Sequence, residues 1–147
     1  MDGVHYLRDG RAPVPIDART SAVMSRIRSR NTVPERMLRK ALCTEGLTGY
    51  RLHVARLPAR PDIAYIGRKV AVLVHGCFWH GCPFCSPALP KSNATFWSAK
   101  LMANQERDER KQRALEALGW KVVVCWECRI KADAVSEAMR IRQALDT

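Results

Sequence analysis

The chain contains 147 residues, 47% of them hydrophobic, which fits one globular domain and excludes an intrinsically disordered chain. Its 25 lysines and arginines outnumber 14 acidic residues, and the formal net charge of +11 predicts a polyanionic partner, most often nucleic acid. No apolar run approaches the roughly 20 residues of a membrane-spanning helix and no signal peptide opens the chain, so we expect a cytoplasmic protein.

The N-terminal region predicts a flexible arm followed by a basic helix. Residues 1–18 contain acidic residues and two prolines, which indicates an arm outside the single domain that we expect over residues 19–147. Residues 18–30 place apolar side chains, among them Met24, at helical spacing between arginines. This spacing predicts a short amphipathic helix with a basic face.

The next predicted element is a helix whose start and stop both have sequence signals. Thr32 and Glu35 have the spacing of a capping box, and Gly46 is suited to end a helix that runs to about Glu45. Three strands, a long helix ended by a glycine, a fourth strand and a closing helix are expected to follow. Their predicted ranges are 50–55, 62–66, 69–75, 96–118, 120–127 and 132–145.

The order of these elements predicts an α/β fold. The second and third strands are joined at Gly67 and Arg68, a signature of an antiparallel hairpin. A long helix separates the third strand from the fourth, and a strand–helix–strand step implies a parallel pair. We therefore expect a mixed β-sheet flanked by helices.

The segment HGCFWHGCPFC, residues 75–85, combines histidines, cysteines and aromatic side chains in a way that ordinary cores do not require. Six cysteines without a secretory signal favour metal or thiol roles over disulfides. Cys82 and Cys85 form a CxxC turn, which is a strong signal for zinc. Cys125 and Cys128 form a second CxxC, so one candidate is a zinc ribbon made of these four residues.

A different set of four cysteines is favoured as the zinc site. Cys125 continues the strand VVVC, and residues three apart in a strand point to opposite faces of the sheet. We expect the structural Zn²⁺ to be held instead by Cys77, Cys82, Cys85 and Cys128. His80 is an alternative ligand, which four cysteines would leave free for another role. Cys43 and Cys125 are expected to be small buried apolar residues.

Five segments carry the distinctive residues of the chain, in the order MSRIRSRNTVPE (24–35), PARPDIAYIGRKVAVLVHGCFWH (58–80), FWSAK (96–100), NQERD (104–108) and LGWKVVVCWEC (118–128). Together they cover about residues 21–128, and HGCFWH preceded by RPD is highly specific among them. In order and spacing, these segments resemble the very-short-patch repair (Vsr) endonucleases.

This resemblance implies a fold related to type II restriction enzymes and a Mg²⁺-dependent nick in double-stranded DNA. The implied cut falls on the 5′ side of the thymine in a T:G mismatch, which arises when 5-methylcytosine deaminates to thymine. We further expect a monomer that is associated with the bacterial nucleoid and is supported by mismatch-repair helper proteins.

The resemblance also assigns roles in catalysis. Asp62 would supply the hard anionic oxygen that Mg²⁺ prefers, and the backbone carbonyl of Val74 would be a second metal contact. His80 would act as the general base or orient the attacking water, which suits an imidazole near neutral pH. His75 and Glu35 would hold metal-bound waters. Without the resemblance, a turn aspartate, a structural histidine and a helix cap explain Asp62, His80 and Glu35.

Aromatic side chains are the expected reader of the mismatch. In the family, aromatics at the positions of Phe78, Trp79 and Trp97 wedge into the base stack from the major-groove side. Met24 corresponds to a residue that enters the opposite groove, and Lys100 is a further expected DNA contact. Core packing is the alternative for each aromatic alone. Because two adjacent aromatics in a metal-bound loop cannot easily both face a core, we expect at least one to be exposed.

The chain departs from the family pattern at two places. Cys82 stands where the zinc motif often has a histidine, and the last cysteine of the loop comes one residue later. Restriction nucleases of this fold carry an acid-x-Lys pair on the second hairpin strand, which is missing here although His75 lies nearby. Two alternatives to a mismatch nuclease remain: a related nuclease that acts on other modified or branched DNA, and a non-catalytic zinc module that binds DNA.

Overall fold

A computed structural model describes residues 31–147, so the expected arm, the helix over residues 18–30 and Met24 lie outside the described residues. Helices and strands alternate through this part of the chain. They are α1 Val33–Thr44, β1 Arg51–Leu52, β2 Ile63–Tyr65, β3 Val70–His75, α2 Cys77–His80, α3 Ala94–Ala117, β4 Lys121–Trp126, α4 Glu127–Ala132 and α5 Ala134–Asp146. In the described residues, no helix is long and apolar enough to cross a membrane.

The four strands form one mixed sheet in the order β1-β2-β3-β4. Strands β1 and β2 pair antiparallel, as do β2 and β3, whereas β3 and β4 are parallel and are connected through α2 and α3. The predicted mixed sheet is therefore confirmed. Its parallel step also has the predicted cause, because the long helix α3 carries the chain back to the start of β4.

Helices cover both faces of this sheet, which explains why β3 is apolar along most of its length. On one face, α1, α4 and α5 bury Leu38, Ile130 and Ile141 against the β-strands. On the other face, Leu115 of α3 packs with Ala71 and its neighbours. The two faces give the helices that carry functional residues fixed positions relative to the strand ends.

The helix signals of the sequence are confirmed at α1. Thr32 is the N-cap, its side chain accepts from the Glu35 backbone N–H, and the Glu35 side chain contacts the Thr32 backbone in return. Gly46 follows the helix with φ of +73°, a conformation that glycine adopts without the penalty of a Cβ atom.

Several local predictions need correction. The hairpin between β2 and β3 has a four-residue connection, with the left-handed conformation at Lys69 (φ +53°) rather than at Gly67. The closing helix is two helices, because Asp133 interrupts the run and caps α5 by accepting from the Ser136 N–H. Cys43 is exposed, so its predicted burial was wrong.

The ends of the parallel strands bring distant segments together. His75 at the end of β3 pairs with Trp126 at the end of β4, and each strand continues at once into a short helix. Cys77 at the start of α2 and Cys128 in the first turn of α4 therefore lie side by side, as the hydrogen bond from the Cys128 N–H to Cys77 Sγ at 3.3 Å shows. This edge of the sheet carries most of the predicted functional residues.

Candidate active site and cysteine cluster

A cavity of about 310 Å³ lies at the carboxyl end of β3. Four of the residues predicted to take part in catalysis line it, namely Asp62, Val74, His75 and His80. The fifth, Glu35, contacts the cavity residue His53. Residues that are up to 45 positions apart in sequence thus meet at one place because β2, β3 and α1 converge there.

Asp62 immediately precedes β2 and presents its carboxylate to β3. Its Oδ2 accepts a hydrogen bond from the Val74 backbone N–H at 2.7 Å, and Oδ1 lies 4.0 Å from His53 Nε2. Burial raises the pKa of Asp62 to about 6, against the effect of the hydrogen bond from Val74. Within residues 31–147, no donor is hydrogen-bonded to Oδ1. A partly buried carboxylate with a free oxygen has the chemistry of a divalent-cation ligand.

Glu35 is buried, and its two carboxylate oxygens serve different partners. Oε2 accepts from the Thr32 N–H at 3.2 Å and from its hydroxyl at 2.9 Å, whereas Oε1 lies 2.8 Å from His53 Nε2. Burial alone would raise the pKa of Glu35, but hydrogen bonds with His53 and Thr32 outweigh burial and hold that pKa below its ordinary value. Glu35 is therefore both a helix cap and a residue of the cavity wall.

His80 is oriented by an acidic residue of α3. Its Nδ1 lies 2.5 Å from Asp108 Oδ2. A carboxylate only accepts hydrogen bonds, so the Nδ1 atom carries the proton of this contact and Nε2 of a neutral ring keeps its lone pair. The pair has the arrangement of a general base held in one tautomer by a neighbouring carboxylate.

His75 is buried directly beneath His80. The two imidazole rings stack with centroids 4.0 Å apart and an angle of 7° between their planes, and Trp126 meets His75 edge-on at 5.1 Å. Burial lowers the pKa of His75 to about 4, with a further contribution from His80, so His75 is neutral at pH 7. Its buried Nδ1 has no hydrogen-bond partner among the described residues, which fits a side chain that serves water or a ligand at the cavity.

Four cavity residues were not assigned a role from the sequence: His53, Arg60, Asp108 and Lys111. Asp108 lies in the segment NQERD, and its position on the long helix places it opposite the HGCFWH loop, but nothing in the sequence specifies that contact. Arg60 precedes the Pro–Asp pair and could have been chosen from its position. His53 carries no motif, so only the fold brings it to the cavity.

The four cysteines predicted to bind zinc form one cluster. The Sγ atoms of Cys77, Cys82, Cys85 and Cys128 all lie within 4.8 Å of one another. Cys82 Sγ and Cys128 Sγ are 3.7 Å apart, which agrees with the edge of about 3.8 Å in a tetrahedron with 2.3 Å metal–sulfur bonds. Cys125 is fully buried in the core and lies outside the cluster, so the alternative ribbon is not formed.

The surroundings of these sulfur atoms also fit a metal site. Cys82 Sγ accepts a hydrogen bond from the Phe84 N–H at 3.4 Å. Burial would raise the pKa of Cys82, but hydrogen bonds from the Cys85 and Phe84 backbone outweigh it and lower that pKa to about 7. Because the thiolate is the form that ligates metal, a turn that stabilises it is prepared for a cation.

The cysteine loop is closely packed on α3. Gly81 ends α2 with φ of +66°, and a Cβ atom at this position would lie 1.9 Å from Gln105 Nε2. Next to it, Asn104 Nδ2 donates to the Trp79 carbonyl at 3.0 Å. These contacts fix the loop that carries His80 and the aromatic residues on the helix that carries Asp108.

Phe78 and Trp79 of α2 and Trp97 of α3 form an aromatic cluster beside the cysteine loop. Their rings meet edge to face, with centroid distances of 5.3, 5.4 and 5.7 Å, and Phe96 adds a contact of 5.2 Å to Trp97. Phe78, Trp79 and Trp97 are all half-buried, so none is as exposed as predicted. Lys100, three residues after Trp97 on the same helix, is also half-buried.

The chain is similar in sequence to enzymes that nick DNA. The family model described as DNA mismatch endonuclease Vsr matches residues 14–85. A type II nicking enzyme of Xanthomonas oryzae pv. oryzae is 44% identical over 124 residues, covering 84% of this chain and 90% of the relative. The DNA mismatch endonuclease Vsr of Escherichia coli is 36% identical over 120 residues, covering 82% of this chain and 76% of the relative. The matched family range contains Asp62, His75 and His80.

Proposed function

Because this chain belongs to the Vsr family of DNA mismatch endonucleases, we propose that it nicks duplex DNA on the 5′ side of the thymine in a T:G mismatch. Its endonuclease activity, the hydrolysis of a phosphodiester bond, follows from the family. The T:G specificity is supported by one observation above all: a cavity with a carboxylate and an oriented histidine lies on the same short loop as a cluster of half-buried aromatics.

Mg²⁺ is the proposed catalytic cation. The free Asp62 oxygen fits it, and we propose the backbone carbonyl of Val74 as the second protein ligand, since Val74 is already held against Asp62 by its N–H. When bound, Mg²⁺ would polarise the scissile phosphate and stabilise the charge that develops on it. Glu35 and His75 are proposed to orient waters at this site, Glu35 through Oε1 and His75 through its ring nitrogens.

His80 is proposed to remove a proton from the attacking water. The Nε2 lone pair accepts that proton, and Asp108 stabilises the resulting positive charge through its contact with Nδ1. His75 is neutral and stacked on His80, so it limits the tilt of the His80 ring without adding a second charge.

Arg60 and Lys111 are proposed to bind the DNA backbone at the cavity. Both line it together with Asp62 and His80. A cation on each side of the reacting group would hold a phosphate in place and offset its charge. Such contacts position any duplex equally and carry no sequence information.

The cysteine cluster is proposed to hold a structural Zn²⁺. Bonds from one ion to Cys77 and Cys128 would tie the start of α2 to α4, and bonds to the CxxC turn would fix the loop between α2 and α3. His80 is engaged by Asp108 and lies in a different group of side chains, which supports a catalytic role for it over zinc ligation.

The aromatic cluster is proposed to read the mismatch. Insertion of Phe78, Trp79 or Trp97 between bases requires unstacking, which costs less at a mispaired step. The cluster adjoins His80 in sequence, so a wedge placed at the mismatch would bring the neighbouring phosphate to the cavity. Met24 is proposed to approach from the opposite groove, and Lys100 to contact the backbone.

The larger-scale features follow from the same family. We propose that the sheet and its helices form a restriction-endonuclease-like core within one domain over residues 19–147, preceded by an arm over residues 1–18. We also propose that the enzyme acts as a monomer in the bacterial cytoplasm at the nucleoid, with mismatch-repair helper proteins.

Mapping of the nick tests this function. Zinc-loaded protein is incubated with a strand-labelled duplex that contains one T:G pair, and Mg²⁺ is titrated into a buffer free of other divalent ions. The proposal expects one nick, immediately 5′ to the mispaired thymine, that depends on Mg²⁺. Cleavage of the matched duplex at equal rates would instead favour a nuclease with another trigger, and binding without any cleavage would favour a non-catalytic zinc module.

A further inference from the structure

His53 forms a group with two carboxylates at the edge of the cavity. Its Nε2 lies 2.8 Å from Glu35 Oε1 and 4.0 Å from Asp62 Oδ1. One ligand atom from each of the three residues lies within 4.8 Å of the others. The side chains of His53 and Glu35 are only 13% and 4% exposed, so this group differs from an acidic patch on an open surface.

The backbone holds His53 in this position. The His53 N–H donates to the Asp62 carbonyl at 3.1 Å, which continues the β1–β2 pairing by one residue, and the His53 backbone is left-handed with φ of +46°. Left-handed conformations are unfavourable for residues other than glycine, and they recur where a side chain must be directed into a functional site. Ala59 and Arg60, also on the cavity wall, are left-handed as well.

The hydrogen bonds around the group leave its inner atoms to one another. Glu35 Oε2 is occupied by Thr32, and Asp62 Oδ2 by the Val74 N–H. The inner atoms are Glu35 Oε1, Asp62 Oδ1 and His53 Nε2. Each of these has a lone pair when the carboxylates are ionised and the imidazole is neutral at Nε2, and three converging lone pairs are the donor set of a cation site.

We propose that His53 ligates the catalytic divalent cation through Nε2, beside Asp62, and that this nitrogen makes the site prefer Mn²⁺ over Mg²⁺. The inference rests on the proposed function for the location of the cation and adds a protein ligand to it. Mg²⁺ requires near-ideal octahedral geometry and oxygen ligands, whereas first-row transition ions accept imidazole more readily. A site with one nitrogen and carboxylate oxygens therefore favours Mn²⁺, while Mg²⁺ can still use the oxygens.

Electron paramagnetic resonance of bound Mn²⁺ tests this ligand without any DNA or turnover. The zinc-loaded full chain is titrated with Mn²⁺, which is too hard to compete with zinc for four thiolates. Pulsed spectra then show whether a nitrogen nucleus is coupled to the bound ion. The variant is His53→Gln, and the matched controls are His75→Gln and His80→Gln, which remove the other two imidazoles of the cavity.

We expect nitrogen coupling in the wild type and in both controls, and its loss in His53→Gln. The Kd for Mn²⁺ should rise about tenfold or more in His53→Gln, while the Kd for Mg²⁺ changes by less than about threefold, because even an indirect partner of a metal site affects affinity by 10-fold to 100-fold. Zinc content and thermal unfolding of the variant show that it is folded. If it does not fold, the wild type and the two controls still decide the question.

Bound Mn²⁺ without nitrogen coupling in the wild type would overturn the inference, as would coupling that persists in His53→Gln and disappears in a control. The outcome is separate from that of the proposed function. Wild-type protein that nicks T:G duplexes but shows no coupling refutes the His53 ligand alone. Protein that shows coupling but does not distinguish T:G from T:A refutes mismatch specificity alone.

Discussion

Asp62 is the residue on which the proposed chemistry depends most. Replacement by alanine removes the free carboxylate oxygen, so Asp62→Ala should reduce nicking by more than about 10³-fold, equivalent to several kcal/mol of lost charge stabilisation. Binding to a T:G duplex should survive, because the phosphate contacts and the aromatic cluster are untouched. The measurement is a pair of assays, single-turnover nicking and equilibrium binding, on the same preparation.

The control for this variant is Asp146→Ala, since Asp146 is exposed at the end of α5 and far along the chain from the cavity. It should behave as the wild type in both assays. Full nicking activity in Asp62→Ala would refute the assignment of the catalytic site.

His80 and Asp108 are expected to act as one unit. His80→Ala should lower the nicking rate by roughly 10²–10⁴-fold, the usual contribution of general acid–base catalysis. Asp108→Asn should lower it in the same direction, because an amide at this position can donate to Nδ1 and so favours the wrong tautomer of His80. The measurement is the single-turnover rate of each single variant and of the double variant.

If the two residues work together, the double variant should be little slower than His80→Ala alone. Fully multiplicative effects would contradict the idea that Asp108 acts through His80.

At the residue scale, the sequence predicted side chains that belong to a motif and missed those that depend on the fold. HGCFWH and RPD pointed to Asp62, His75 and His80, which the structure brings together at one cavity. His53 lies in no motif, and its relation to Glu35 requires the path of β1, α1 and β2 in space. The shared use of Glu35 by cap and cavity could be posed from the sequence, but only contact distances answer it.

Among the elements of the structure, the cysteine loop and the two short helices are expected to depend on zinc. Purified protein should contain about one zinc per chain, and Cys128→Ser should lose it and unfold at a lower temperature, because structural zinc contributes to folding directly. Cys125→Ala should keep the zinc, since Cys125 is buried in the core away from the other four sulfur atoms. Metal content and thermal unfolding are measured on both variants.

His80→Ala gives a second comparison for the zinc site and should retain the metal. Loss of zinc in Cys125→Ala together with its retention in Cys77→Ala would show that the ribbon alternative was right.

The contact of α2 with α3 is expected to provide the mismatch reader. Trp79→Ala and Trp97→Ala should each bring the ratio of T:G to T:A affinity close to one, because wedge insertion is easy only where stacking is already weak. Phe78→Ala should do the same if the ring enters DNA, and should mainly lower the unfolding temperature if it supports the two tryptophans. Affinities are compared at one fixed salt concentration, because phosphate contacts make binding depend on salt.

Phe84→Ala is the matched control, because Phe84 is an exposed aromatic of the same loop that contacts Arg129 rather than the cluster. Its affinity ratio should equal that of the wild type. A large ratio that neither tryptophan variant reduces would leave mismatch recognition in place and move it to other residues.

The elements themselves were largely predictable, with errors at their ends. The capping box of α1, the parallel β3–β4 pair and the long α3 followed from strong local signals. The turn after β2 was assigned to Gly67 on composition, yet the left-handed residue is Lys69, since a four-residue connection places that conformation at its last position. The separate helix α4 was missed because it directly follows β4 and lacks a side-chain cap.

For the whole molecule, the net charge of +11 predicts that affinity for any duplex falls steeply with salt. Lys111→Ala should weaken binding to T:G and T:A duplexes by the same factor and reduce the slope of log affinity against log salt by about 0.9, as expected for one lost phosphate contact. Arg26, Arg28 and Arg30 are expected to contribute in the same way, although they lie outside the described residues. A change in the T:G to T:A ratio in Lys111→Ala would contradict its assignment to the backbone.

The most direct test of mismatch-directed nicking is a competition between two substrates. A T:G duplex and the matching T:A duplex, labelled with different dyes and otherwise identical, are mixed with limiting zinc-loaded enzyme and Mg²⁺, with Asp62→Ala as the inactive control. The ratio of the two initial nicking rates equals the ratio of kcat/KM values and is independent of enzyme concentration. We predict that the T:G strand is nicked at least about 10²-fold faster, which corresponds to about 2.7 kcal/mol of discrimination. Equal rates for the two duplexes would contradict the account.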